Sequence, residues 1–229
     1  CQRAGDLTHN LLGFARKGQL RKEALDLNTS VRAVRRLVVH TVAKGISLEL
    51  ELTEPLPAVV GDPGQIEQML VNLCLNAADA VGKRGGVRLR TEVIELRNPE
   101  SGEGLPAGTY VQLQVIDDGH GMDSGVAARA FEPFFTTKPH GKGTGLGLSM
   151  VYGAVKSHRG SVDLESALGQ GTVVTLRFPA REDRVVAPIA RSTSSKRPRG
   201  LQRGRGAVLL VDDEASIRDA GGRLLRQLG

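Results

Sequence analysis

The stretch Gly141–Leu148, GKGTGLGL, is the part of this chain that decides its fold class. Its four glycines alternate with other residues, and an apolar pattern with helical spacing begins at Leu146. Glycine lets backbone N–H groups come close to an anion, and a helix N-terminus adds unpaired donors and a positive dipole end. The stretch therefore predicts a phosphate-binding loop, although a glycine-rich connector would look similar in isolation. It lacks the Gly-Lys-Ser/Thr ending of a P-loop.

Working outward, the flanking patterns predict an α/β fold. Asp62 is a suitable N-cap, Pro63 suits the first helical position, and Gln65 stands where a capping box places its reciprocal partner. Apolar periodicity predicts further helices, and period-2 alternation predicts strands. The predicted helices are 2–18, 29–43, 63–81 and 146–158, and the predicted strands are 46–52, 87–95, 109–117 and a hairpin over 162–178. This order favours a two-layer sandwich with a mixed β-sheet and helices on one face.

A polar row follows the helix predicted over 63–81. Asn72, Asn76 and Asp79 are spaced i, i+4 and i+7 and share one face. Asparagine is a mediocre helix former, so two of them inside a helix need a reason, and an amide oxygen is a suitable Mg²⁺ ligand. The alternative is an amphipathic helix whose polar row faces water.

Asp117 ends a predicted strand on its apolar face. Val111, Leu113 and Val115 share its parity, and a carboxylate buried there needs a hydrogen-bond donor. The exocyclic amine of adenine would supply one, and a base with a keto group would be penalised. An Asp-Asp-Gly turn is the alternative. Asp118 has the opposite parity and is expected to face solvent or cap a turn.

The segment 119–143 is too long for a routine connection and predicts a mobile functional loop. Its Phe131–Phe135 stretch places three aromatic residues within five positions. This stretch either anchors a hinged lid or forms a small satellite core under the loop.

Charge and composition exclude several classes of function. The net charge is +6, and the eight basic and two acidic residues of 181–206 account for all of it. That stretch is typical of a solvated, disordered linker, and it lacks the interleaved aromatics that stack nucleic-acid bases. No apolar run approaches the length of a membrane span. The two cysteines, Cys1 and Cys74, cannot form a disulfide framework, which suits a cytoplasmic location, although the full-length protein could still be membrane-anchored.

With these segments in order, the chain resembles the catalytic ATP-binding domain of a bacterial sensor histidine kinase, a member of the gyrase/Hsp90/histidine kinase/mismatch-repair superfamily. Asn72–Ala77 resembles the family's N box, and Asp117–Met122 its first glycine box. Phe131–Phe135 resembles the F box, and Gly143–Leu148 the second glycine box. Gly169–Thr172 is similar to the last glycine motif. The resemblance covers 28–181 and implies the same α/β sandwich.

The resemblance also implies roles for individual residues. Asp117 would bind adenine, and Thr172 would lie beside the base. Asn76 would hold Mg²⁺ against the triphosphate of ATP, with Asn72 assisting. Lys142, in a lid over 122–144, would approach the γ-phosphate, although Lys138 could do so too. The remaining nucleotide contacts would come from the backbone of Gly119, Gly121, Gly143, Thr144, Gly145, Leu146, Gly147 and Leu148.

The implied reaction is transfer of the γ-phosphoryl group to a histidine on a helical dimerisation domain of a homodimer. Residues 1–27 would be the end of that domain, with the acceptor expected upstream of Cys1 rather than at His9. Residues 28–181 would be the catalytic domain and 182–206 the basic linker. Residues 207–229 resemble the start of a receiver domain, in which Asp212 and Asp213 would help to hold Mg²⁺.

A receiver in cis or a separate response regulator would then take the phosphoryl group, as in a hybrid kinase. The alternatives are a non-kinase ATPase clamp of the same superfamily and an ATP-binding regulatory module. No nucleic-acid partner is expected.

Overall fold

A mixed β-sheet of seven strands carries four helices in the computed structural model, which describes residues 22–97, 105–139 and 143–185. All of these belong to the unit Cys1–Pro188, and for 182–185 the description is confined to the backbone. In chain order the elements are β1 (Glu23–Leu25), α1 (Leu27–Val38), β2 (Ile46–Leu52), β3 (Pro57–Gly61), α2 (Pro63–Val81), β4 (Gly85–Leu96), β5 (Gly108–Asp117), α3 (Ser124–Arg129), α4 (Gly147–Ser157), β6 (Ser161–Ser166) and β7 (Thr172–Val185).

The sheet is built around the long strand β7. Its spatial order is β1-β3-β7-β5-β4-β2, and β6 pairs with the first half of β7 on the edge that β3 uses further along. β2 runs parallel to β4, and the five other pairings of the described strands are antiparallel. The predicted mixed sheet is therefore confirmed.

The core lies between the sheet and the helices. Alternate residues of the central strands point toward α2, and the buried side chains from the sheet include Val87, Leu89, Val111, Leu113, Val115, Val174, Leu176 and Phe178. Ile66, Leu70 and Leu73 of α2 close the core from the other side, and α1 and α4 flank α2. Each fully buried side chain of this size contributes about 1.5–3 kcal/mol. The helices therefore cover one face of the sheet.

The opposite face of the sheet is polar. Arg88 contacts Glu49 and Glu51 on the neighbouring strand, and Arg177 contacts Asp163 and Gln112. These cross-strand pairs are mostly half-exposed, so they keep the face soluble and add little stability.

The helix over 63–81 is confirmed at both ends, and its Asp62 cap accepts from the backbone N–H groups of Gly64 and Gln65. The reciprocal half of the predicted capping box differs. The Asp62 N–H donates to His158 Nε2 at 3.0 Å, whereas the Gln65 side chain accepts from Ser157. A ring from a distant helix thus takes the place that a capping box gives to Gln65.

The bounds of other elements differ from the predicted ones. The helix predicted over 29–43 spans Leu27–Val38, because Asp26 caps it earlier and the chain turns after Val38. The short strands β1 and β3 were not predicted, and neither was α3, which Asp123 caps inside the predicted loop 119–143. The helix predicted over 2–18 lies outside the described residues.

Cys74 is buried in α2, as predicted, and burial raises the pKa of its thiol to about 12. The thiol therefore stays protonated at neutral pH and packs as a small apolar side chain. None of the helices in the described part of the chain is long and apolar enough to cross a membrane.

Candidate functional site

Asp117 lies at the end of β5, on the face of the sheet that packs against the helices. The residue is 8% exposed, and its Oδ1 accepts from the Gly119 N–H at 2.9 Å. Strand register places Thr172 of β7 directly beside it and Ser166 of β6 beside Thr172. Asp117, Thr172 and Ser166 therefore form one polar row across three strands, at the edge of an apolar core.

The environment of the Asp117 carboxylate changes its acidity. Burial raises its pKa above the ordinary value, while hydrogen bonds from the Gly119 and Thr172 amides lower it. Asp118 raises the pKa further and His120 lowers it. The net direction is upward, because the burial of the carboxylate outweighs these hydrogen bonds.

Asp118 points away from this row, as its parity predicted. It is exposed and accepts from the Gly86 N–H at 2.8 Å, which ties the start of β4 to the end of β5. The two neighbouring carboxylates thus have separate environments.

Two glycines let the loops beside Asp117 pack backbone against backbone. A Cβ on Gly171, where φ is +77°, would lie 1.9 Å from the Asp117 carbonyl oxygen. A Cβ on Gly121, where φ is +64°, would lie 1.9 Å from the Ala167 carbonyl oxygen. Any side chain at either position would therefore move the loops that frame the Asp117 row.

The three residues of the polar row on α2 have different surroundings in the structure. Asn76 lines a cavity of about 60 Å³ together with Asp117 and Thr172. The Asn72 amide oxygen accepts from Gln68 one turn earlier, at 3.3 Å, and Asn72 is not among the lining residues. Asp79 is exposed and contacts Lys138. The structure thus places Asn76 with Asp117, while the predicted role of Asn72 stays a prediction.

The N-terminus of α4 faces the same cavity. Leu148 is a lining residue, and a Cβ on Gly147 would lie 3.3 Å from the Asn76 side-chain nitrogen. Asp26, Asp62 and Asp123 cap the other three described helices, but the Leu146 cap of α4 makes no side-chain hydrogen bond. The first turn of α4 therefore keeps the backbone donors that an anion would use.

The loop before α4 contains the other described residues of the second glycine stretch, and their contacts fix its position. The Thr144 hydroxyl accepts from the Leu146 N–H, and a Cβ on Gly143 would lie 3.2 Å from Lys138 Cδ. The Gly145 carbonyl accepts from the Phe134 N–H at 2.9 Å. These contacts tie the second glycine stretch to the lid. Lys142 lies outside the described residues.

Among the described residues of the lid, Lys138 contacts α2. Lys138 Nζ lies 2.5 Å from the Asp79 carboxylate and 3.4 Å from the Asn76 amide oxygen. Of the lid aromatics, Phe131 packs beside Tyr152, Phe135 lies under the Arg129 guanidinium, and Phe134 is 70% exposed. The aromatic stretch is therefore partly a local anchor, and it holds one ring in solvent.

A second cavity, of about 270 Å³, lies at the far end of α4. It is larger, but it contains none of the predicted site residues, and its lining includes Asp62, His158 and Ala180. We assign the candidate site to the smaller cavity, because there a buried carboxylate, an asparagine and an uncapped helix N-terminus meet.

The sequence did not predict the polar contacts of two residues, Ser166 and His158. Ser166 contacts both Thr172 and the first lid residue, Met122, and the hairpin register of 162–178 was the signal that could have located it. His158 is the C-cap of α4 and is buried. Its Nε2 accepts from the Asp62 N–H and its Nδ1 lies 2.7 Å from the Ala154 carbonyl oxygen, so the ring bridges α4 and α2.

Comparison with known proteins agrees with this arrangement. Residues 61–182 match the family described as histidine kinase-, DNA gyrase B-, and HSP90-like ATPase. Sensor kinase CckA of Brucella abortus is 40% identical over 232 residues, which cover 99% of this chain and 25% of that protein. Sensor histidine kinase ZraS of Escherichia coli K12 is 34% identical over 178 residues, which cover 77% of this chain and 35% of that protein.

Among solved structures, full-length ShkA in complex with AMPPNP has a TM-score of 0.63 and 27% identity, with 98% of this chain and 43% of ShkA covered. The chain spans about a quarter to a third of the length of the two curated relatives. It belongs to the histidine kinase-, DNA gyrase B- and HSP90-like ATPase family, as an ATP-binding domain homologous to those of sensor histidine kinases.

Proposed function

We propose that this chain is the kinase core of a two-component sensor histidine kinase and transfers the γ-phosphoryl group of ATP to a histidine. The observation that carries this proposal is the convergence of three features on one cavity. They are the buried Asp117 carboxylate, the Asn76 amide and the uncapped N-terminus of α4. The names of the relatives, which are sensor kinases, favour this reaction over others of the same superfamily.

The base of ATP would bind at the Asp117 end of the cavity. Leu73, Ala77 and Val174 supply an apolar lining there, and Asp117 supplies an acceptor for an exocyclic amine. Thr172 adds a second polar atom in the same row. Gly119 and Gly121 would contact the nucleotide through their backbone, next to Asp117.

The triphosphate would then extend toward α4. Backbone N–H groups of Gly143, Thr144, Gly145, Leu146, Gly147 and Leu148 would donate to phosphate oxygens, and the dipole of α4 adds to the attraction. In phosphoryl transfer the protein chiefly positions the groups and neutralises charge. The N-terminus of α4 would both position the phosphates and neutralise part of their charge.

The residues around Asn76 fit a bound Mg²⁺. The Asn76 amide oxygen already faces a cation, because the Lys138 ammonium lies 3.4 Å away and also contacts Asp79. A hard oxygen in such a place is a suitable Mg²⁺ ligand. With ATP the metal would neutralise charge on the phosphate oxygens. Asn76 would hold it, and Asn72, one turn earlier, would assist.

Lys138 and Lys142 are the two lid cations that could reach the γ-phosphate. Lys138 would exchange the Asp79 carboxylate for phosphate oxygens, since its ammonium already stands beside Asn76. Lys142 directly precedes the second glycine stretch in sequence. We propose that both act on the lid side of the phosphates.

We propose a wider organisation on the basis of the sequence patterns. Residues 1–27 would end a helical dimerisation domain, 28–181 form the kinase core, and 182–206 link it to a receiver that begins at 207. Asp212 and Asp213 would serve the Mg²⁺ site of that receiver. The partners would be the helical domain of a homodimer and a receiver, either in cis or on a separate response regulator, with the catalysis in the cytoplasm.

Transfer to histidine is tested with labelled nucleotide. The chain is mixed with the helical domain of its own full-length protein and with ATP labelled at the γ-phosphate. We expect acid-labile, base-stable label on the helical domain, and none when its histidines are changed to glutamine. ATP binding without any transfer would contradict a kinase, and steady hydrolysis coupled to ATP-dependent dimerisation would favour the clamp alternative.

A further inference from the structure

Ser166, the last residue of β6, makes three polar contacts through one hydroxyl. Its Oγ accepts from the Met122 N–H at 2.9 Å and donates to the Gly171 carbonyl at 2.9 Å. It also lies 3.0 Å from Thr172 Oγ1. Ser166 does not line the candidate cavity, so any effect on a ligand there must pass through a neighbour.

A count of protons fixes the direction of the third contact. A serine hydroxyl has one proton, and here the Gly171 carbonyl accepts it. The proton between Ser166 and Thr172 must then come from Thr172. The Thr172 oxygen then keeps its capacity to accept, and strand register places Thr172 beside Asp117.

The side chains of Asp117 and Thr172 therefore both present acceptors. Asp117 offers a carboxylate oxygen, and Thr172 offers a hydroxyl oxygen whose proton is engaged. An amino group at position 6 of a purine suits two acceptors, whereas an oxo group would face them without a donor. If the Thr172 hydroxyl could rotate, it would donate to the oxo group and weaken this discrimination.

We propose that Ser166 is a positioning residue that holds the Thr172 hydroxyl as an acceptor and thereby excludes 6-oxopurine nucleotides from the site. The inference rests on the ATP site of the proposed function. It adds a determinant of base selectivity that never touches the base.

The test compares ATP with inosine triphosphate, which carries an oxo group at position 6. Affinities of the whole chain for both nucleotides are measured by competition against a fluorescent ATP analogue. Ser166→Ala is expected to lower the ratio of ATP affinity to inosine triphosphate affinity by roughly fivefold, the effect of one hydrogen bond. Ser166→Thr, which keeps the hydroxyl, should restore the ratio.

Two further variants separate positioning from a general loss of structure. Ser161→Ala removes a hydroxyl from the other end of β6, where Oγ has no hydrogen-bond partner among the described residues, and should leave the ratio unchanged. Thr172→Val should lower the ratio as well. Adding Ser166→Ala to it should lower the ratio no further, because Ser166 acts through Thr172.

Loss of the Met122 contact would loosen the start of the lid. That change would weaken the binding of both nucleotides equally and leave the ratio of their affinities unchanged. An unchanged ratio in Ser166→Ala, or additive effects in the double variant, would overturn the role of Ser166 while leaving the ATP site standing. Failure of the unaltered chain to bind ATP would overturn the proposed function and this inference with it.

Discussion

At the scale of single residues, Asp117 combines two properties that are rarely compatible. It is buried at the end of a strand, and its backbone donors satisfy only part of its acceptor capacity. Such a carboxylate costs stability in the free protein and gains a partner when a ligand brings a donor. We therefore expect the site to favour a base with an amino group.

Asp117→Asn tests this directly. The change replaces a charged acceptor with a neutral amide of the same shape, so ATP affinity should fall roughly ten- to a hundredfold. Affinity for inosine triphosphate should fall much less, because its oxo group gains a donor. Competition binding checks both values, and equal losses for the two nucleotides would contradict an adenine contact.

Asn76→Ala tests the metal side of the cavity. Removing the amide oxygen should lower the Mg²⁺-dependent part of ATP affinity by about tenfold. Asn72→Ala is the matched control on the same helix face, and it should have the smaller effect because the Asn72 amide already contacts Gln68. A Mg²⁺ titration of ATP binding measures both, and an unchanged titration for Asn76→Ala would remove that residue from the metal site.

At the scale of elements, α2 is the helix on which the site depends, since it carries Asn76 and closes the core. Its N-cap, Asp62, accepts two hydrogen bonds at Oδ1, from the Gly64 and Gln65 N–H groups. Asp62→Ala should therefore destabilise the fold by about 1 kcal/mol. Urea unfolding of the chain measures this. Glu67→Ala, exposed on the same helix, is the control and should change stability by no more than about 0.5 kcal/mol.

Local signals made α2 predictable, and the same reasoning shows why other elements were not. Asp62 and Pro63 mark the start of α2 within the sequence itself. β1 has three residues and pairs with β3, and β3 has five residues and also pairs with β7. Because these short strands form through pairing, no local sequence pattern indicates them. The contact between Asp62 and His158 joins residues 96 positions apart, which no local pattern reveals.

The candidate site was predictable to a similar degree. The parity of β5 correctly placed Asp117 on the apolar face, and helix spacing placed Asn76 on the polar row. Spacing could not separate Asn76 from Asn72, because the difference depends on where α4 packs against α2. The contact of Lys138 with Asp79 depends on how the lid folds back, which is also tertiary information.

At the scale of the whole molecule, the buried Asp117 carboxylate gives stability a dependence on pH. Burial raises its pKa in the folded state above the ordinary 3.8, so the folded state binds the proton more tightly than the unfolded state does. This group therefore lowers the stability of the nucleotide-free protein as pH rises from about 3.8 through the folded pKa.

Asp117→Asn should accordingly raise the Tm of the free protein at neutral pH. The gain should shrink as the pH falls toward the ordinary pKa, where the carboxyl is neutral in both states. Thermal unfolding at a series of pH values measures the difference between variant and unaltered protein. A difference that is constant with pH, or that grows toward acid, would contradict the burial argument. Saturating ATP should reverse the order at neutral pH, since it stabilises the unaltered protein more.

The imidazole bridge between α4 and α2 has a consequence for observation. The Asp62 amide proton belongs to the first turn region of the helix that carries Asn76, yet its acceptor is a ring at the far end of the helix that begins at the glycine stretch. The chemical shift of that proton in an NMR spectrum therefore reports on the position of α4 relative to α2. A ligand bound at the N-terminus of α4 would then be detected at the C-terminal end of the same helix.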